Sequence, residues 1–248
     1  MISGDFAVVL VILAVIVPWR GYVRVRQLLN RESVSTRDRL ALYASTIAFQ
    51  WIATVFVLWR CQVHGYRPAD LAIAIPKPGL VLLVTVGLTA LVTANQLVSI
   101  HRLASLPREQ QGSFRALSLK LMPQEATERL AFFALVMTVA ICEEVLYRGW
   151  AQQVFQLFSG SVAFGVVASA VFFSIAHIYQ GRRGLVATFI VGALFSVVRA
   201  WTGSLIPTVA AHFAADLAAG LLAPVWLNRV QNPHENAHAV ARSNGPVL

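Results

Sequence analysis

Apolar residues in this chain come in long unbroken runs, neither alternating as in a half-buried strand nor confined to the single stripe of a soluble helix. Such runs cover about 3–19, 40–59, 79–100, 130–147, 161–178, 184–200 and 204–227. Each is close to the roughly 20 residues that a helix needs to cross about 30 Å of hydrocarbon. A helix satisfies its own backbone groups inside lipid, so the pattern predicts an all-α, polytopic transmembrane helix bundle of about seven spans. The sixth run is the weakest, although Gly192, Ala193 and Ser196 would let it pack closely against neighbours.

The connections sharpen this picture. The first run lacks a preceding basic residue and is followed by several arginines, which suits a retained span better than a cleaved signal. Between the third and fourth runs, Phe114, Leu117 and Leu121 share one helical face while Arg115 and Lys120 lie off it, predicting an amphipathic helix at the interface. The last span carries two rows of alanine, Ala210, Ala214, Ala218 and Ala211, Ala215, Ala219, which allow close backbone approach. Residues 231–248 are polar without a helical apolar period and read as a disordered tail. The chain thus divides into N-terminal spans with a basic connection (1–129), a core (130–227) and a tail (228–248).

Composition agrees. Of 248 residues 57% are hydrophobic and 12% charged, against about 25% charged in a soluble domain. The net charge of +9 does not point to nucleic acid, because the basic residues sit in short connections and not on one face. Alternate connections share Lys and Arg 15 to 5, which places 20–39, 101–129, 179–183 and 227–248 in the cytoplasm and the N-terminus outside. Cys61 and Cys142 form neither a disulfide framework nor a CxxC pair. A short chain with few appendages fits a bacterial inner membrane.

Only three acidic residues lie well within the runs: Glu143, Glu144 and Asp216. A charge near the bilayer centre costs at least ~2.5–3.5 kcal/mol, so such residues face a partner or a wet cavity. Glu144 and Arg148 are i and i+4, acid first, the favourable order for an ion pair. Glu143 points about 100° away on the same helix and is free for proton transfer. His177 follows Phe173 by four residues near the end of the fifth run, and His212 and Asp216 are again i and i+4. Three helices could therefore assemble a general base, a second proton-handling group and donors for an oxyanion. Structural readings compete at each point: glutamates capping a span end beside Arg148, an interfacial His177, and a His212–Asp216 pair that only joins helices. Motifs for zinc-helix, serine-elbow, Walker and dinucleotide chemistry are absent. Cys142 is a poor nucleophile, because a thiolate beside a carboxylate in apolar surroundings is costly.

These motifs resemble those of the CPBP family, the CAAX-type prenyl proteases and bacteriocin-processing enzymes also called the Abi family. Glu-Glu-x-x-x-Arg stands at Glu143, Glu144 and Arg148, Phe-x-x-x-His at Phe173 and His177, and His-x-x-x-Asn/Asp at His212 and Asp216, in the family's order. The resemblance covers about residues 130–218 and implies a four-helix catalytic core. It implies an intramembrane endopeptidase cleaving a membrane-associated peptide, with Glu143 activating water and His177 helping to orient it. His212 and Asp216 would stabilise the oxyanion or hold the carbonyl, and Glu144 with Arg148 would brace the site. An aspartate donates to an oxyanion only when protonated, unlike the amide many members carry. The resemblance leaves open whether Glu143, His177 and His212 hold zinc with an open water position or hold water directly.

Two other functions stay in view: a non-catalytic scaffold or peptide-immunity protein of the same fold, and a proton relay, against which the clustering of the polar groups argues. The charge bias carries the fourth span outward and would set Glu143 nearer the outer face, in tension with a cytosolic substrate unless the span count is off by one.

Overall fold

The computed structural model describes residues 3–229; the predicted tail lies outside them from residue 230 on, and its first two residues belong to the last helix. Among these, eight helices follow one another: α1 (Gly4–Leu29), α2 (Thr36–Val63), α3 (Pro78–Ala104), α4 (Gly112–Leu121), α5 (Ala126–Ser159), α6 (Val162–Ala176), α7 (Gly181–Thr202) and α8 (Ile206–Arg229). Six of them, α1, α2, α3, α5, α7 and α8, are long and apolar enough to cross a membrane. The fold is the expected all-α polytopic bundle, but its spans are distributed differently. The sixth run is a full-length helix, extended by the polar turn before Gly181, whereas the fifth is the short one. At 1.5 Å per residue, the 15 residues of α6 reach only ~22 Å.

The fourth run also departs from its predicted end near 147. The helix continues to Ser159, where Gly160 in the left-handed conformation (φ 70°) stops it and Ser161 caps α6. Hydropathy loses this extension because Arg148, Gln152 and Gln153 interrupt it, yet Arg148 and Gln152 are fully buried. They are covered by protein and not by lipid. Within α5, residues Glu144–Ala151 form a π-helical turn, a local widening that recurs at functional sites. Ser169 of α6 donates to the Tyr147 carbonyl in this turn (2.7 Å). Gln152 donates to the Ser196 carbonyl of α7 (3.0 Å).

The amphipathic helix is present as α4, but its apolar face does not meet the interface. Leu117 and Leu121 pack with Val25 and Leu28 of α1, and Phe114 packs near Ile100 and Leu227. Lys120 donates to the Leu29 and Arg31 carbonyls, tying α4 to the end of α1. The first run is a bundle member: Phe6, Val9, Leu10 and Leu13 are buried with Trp150, Val154 and Phe155 of α5. As the alanine rows require, α8 packs closely, and Ala211 is buried with Leu88 and Val92 of α3. Pro207 stands in the first turn of α8, where its missing N–H costs nothing.

The connection 64–77 closes one end of the bundle. Leu71 and Ala72 are buried, Leu205 N–H donates to the Ala72 carbonyl (2.9 Å), and Arg199 holds the Asp70 carbonyl (2.9 Å). This loop lies against the π-helical turn so closely that a Cβ at Gly149 would stand 3.0 Å from the Leu71 oxygen.

Candidate active site

Sequence spacing explains how four distant residues reach one level. About 16 residues of α5 separate Glu143 from the turn at Gly160, and about as many return along α6 to His177. The hairpin therefore brings His177 back beside Glu143. From the far side, α8 starts beneath the buried loop and lowers His212 into the same layer within two turns.

Glu143 and Glu144 diverge as the helical period requires. Glu144 is fully buried, and its Oε1 accepts from Arg148 Nη1 (2.9 Å) and from His212 Nδ1 (3.0 Å). Arg148, also fully buried, stacks over the Phe173 ring at 3.9 Å and near Phe195 at 5.5 Å. Gly192 leaves room for this stack, since a Cβ there would stand 3.2 Å from both Arg148 Nη2 and Phe173. Two buried charges are costly unless paired and hydrogen-bonded, and here the acid has two donors and the guanidinium a carboxylate and an aromatic face.

Glu143 faces a cavity of about 1660 Å³. Gln50 of α2 donates to its Oε1 (2.9 Å), while its Oε2 is buried without a protein hydrogen bond. Toward that oxygen point His177 Nε2 (3.9 Å) and His212 Nε2 (4.0 Å). Both rings are set by their other nitrogen: Nδ1–H of His177 donates to the Phe173 carbonyl (2.8 Å), and Nδ1–H of His212 to Glu144. An acceptor-only partner fixes the hydrogen on Nδ1 and turns Nε2 toward Glu143. Asp216 Oδ2 lies 3.5 Å from His212 Nε2, but its side chain is 45% exposed to the cavity, not densely packed as the alanine-rich surroundings suggest.

All six residues singled out in the sequence are thus brought together. What spacing alone does not reveal is the link from Glu144 to His212 across 68 residues, and the approach of Gln50 across 93. A lone glutamine within an apolar run is the only sequence signal for the second. Cys142 is buried and does not line the cavity.

Two ligands of a tetrahedral zinc with bonds near 2.0 Å stand ~3.3 Å apart. The gaps of 3.9 and 4.0 Å at Glu143 Oε2 are wider, and among the described residues no three His, Cys, Asp or Glu side chains group around a metal position. As placed, these side chains do not fit zinc. A polar gap of this width suits one bridging water.

The cavity extends from this point to one end of the bundle only. Its walls include Arg20 and Arg24 of α1, Ser113 and Leu117 of α4, and Arg182 and Arg183 at the start of α7, and no residue of 60–78 lines it. Its outer end is therefore formed by the connections that hold most of the basic residues. Glu143 itself lies midway along a 34-residue helix, and its cavity opens toward the basic connections.

Residues 125–218 match the family model described as type II CAAX prenyl endopeptidase Rce1-like. That segment holds all six motif residues, and the matched family agrees with the CPBP resemblance. No curated protein and no solved structure matches the chain.

Proposed function

We propose that the chain is an intramembrane endopeptidase that hydrolyses a peptide bond of a membrane-associated substrate with water activated by Glu143 and His177. The observation that carries this reading is the convergence of two imidazole Nε2 atoms on the one Glu143 oxygen that lacks a protein hydrogen bond. A water within hydrogen-bonding reach of Glu143 Oε2 and His177 Nε2 would lose a proton to the carboxylate as it attacks the scissile carbonyl. The developing oxyanion takes its hydrogen bond from Nε2–H of His212 in its protonated form, a form that the neighbouring carboxylates of Glu144 and Asp216 favour. The proton on Glu143 then passes to the leaving amine. In this scheme Asp216 acts as a counter-charge and not as the protonated donor that the resemblance suggests.

The substrate reaches the site from the basic end of the bundle, which the excess of Lys and Arg makes the cytoplasmic one. Apolar walls from Phe49, Val92, Phe132 and Val139 leave room for a lipid-like group beside the peptide, in keeping with a prenylated substrate.

The test compares peptide fragments in membranes of cells carrying wild type or Glu143→Ala. Fragments that disappear in the variant, while the protein stays folded and abundant, are expected. Identical fragment sets would defeat the reading and favour a scaffold. Removing a general base is expected to slow cleavage about 10²–10⁴-fold.

A further inference from the structure

Glu143 has two oxygens in different surroundings. Oε2 faces His177 and His212, while Oε1 is held by the side-chain amide of Gln50 at 2.9 Å. A carboxylate only accepts, so the amide turns its NH₂ toward it. Gln50 lies within α2, a helix that crosses the apolar layer and stands outside the segment 125–218.

The depth of Gln50 is set by other contacts of α2. This helix runs alongside α5 in the same direction, so paired residues rise together along both. Near their starts, Arg39 and Glu128 form a buried ion pair (2.8 Å). Glu128 also accepts from the Gln124 N–H (2.7 Å), which fastens the pair to the first turn of α5. One turn further, Tyr43 packs edge-on against Phe132 at 5.7 Å, and higher up Trp51 Nε1 donates to Thr138 Oγ1 (3.2 Å). These fasteners hold the register independently of the Gln50 contact and deliver Gln50 to Glu143.

The terminal torsion of a glutamate is soft and roughly two-fold, so a carboxylate with no tether turns easily between orientations. We infer that Gln50 is the positioning residue for Glu143: by holding Oε1 it keeps Oε2 directed at the two histidines and at the attacking water. This role rests on the endopeptidase reading. It also gives the N-terminal helices a part in the chemistry beyond walling the cavity. A hydrogen bond that merely glues two membrane helices would leave turnover per folded molecule unchanged.

The experiment uses purified full-length protein in proteoliposomes with a prenylated, internally quenched peptide ending in a CAAX-type sequence. Gln50→Met keeps the length and removes the donor. It is expected to lower kcat by up to about 100-fold, the cost of misplacing a reacting group by about 1 Å, with KM within about twofold. Gln50→His, which offers an N–H at similar reach, should recover part of kcat. Thermal unfolding of both variants should match wild type, since the Arg39–Glu128 and Trp51–Thr138 contacts persist. If the wild type cleaves and Gln50→Met matches it, or if kcat falls only in proportion to lost folded protein, the positioning role is overturned alone. A wild type that leaves the peptide intact while folded overturns the endopeptidase reading, and the role with it.

Discussion

Helices α2 and α5 are both apolar enough to cross a membrane and lie side by side, yet they live in different surroundings. Half of the most apolar stretch of α5 is buried inside the protein, against 17% for α2 and the same share for α3. Hydropathy cannot separate the two cases, because lipid and protein interior are equally apolar. Polar content does. The buried helix carries Glu143, Glu144 and Gln152, each hydrogen-bonded to another helix, and Arg148, stacked on Phe173 of α6, whereas α3 turns Leu82, Leu83 and Val86 outward. Charge in the membrane is thus concentrated where protein surrounds it, and the N-terminal helices form the wall of the cavity.

This contrast can be broken at its strongest point first. Arg148→Leu removes the cation from Glu144 and leaves a fully buried carboxylate without its guanidinium partner. A loss of about 3–5 kcal/mol is expected, read as a fall in the detergent thermal-unfolding midpoint. If stability is unchanged, the centre of α5 is wetter than its burial indicates. A smaller effect is expected from Gly192→Val, which drives side-chain atoms between Arg148 and Phe173. Overpacking there should cost about 1–3 kcal/mol, and cleavage should fall because the shifted Arg148 disturbs Glu144 and His212. A variant with full cleavage would show that the stack does not brace the site. At the other extreme, Leu83→Ala on α3, a residue 71% exposed, should change stability by less than about 0.5 kcal/mol and leave cleavage intact. A marked loss there would mean that this face meets another protein and not lipid.

The same contrast marks where the sequence could be read. Divergence of Glu143 from Glu144, the Glu144–Arg148 pair and the shared face of His212 and Asp216 all follow from helical period, so they were legible without a structure. The helix of 34 residues was not, because Arg148, Gln152 and Gln153 end a hydropathy run even though tertiary contacts keep two of them from solvent. Nor was the π-helical turn, against which Ser169 and the loop at Leu71 pack from distant parts of the chain. The amphipathic face of α4 was visible, but whether lipid or α1 would cover it was not.

By itself, then, the sequence determined that the chain is a helical membrane protein and which of its polar side chains share a helix face, because apolar length and i, i+4 spacing are properties of a single helix. Only the tertiary structure decided the depth of Glu143, the side from which its cavity opens, the tie from Glu144 to His212 and the grip of Gln50 on Glu143. Those depend on the relative register of helices far apart in the chain, which buried ion pairs and hydrogen bonds such as Arg39–Glu128 and Trp51–Thr138 set, and no local pattern encodes that register.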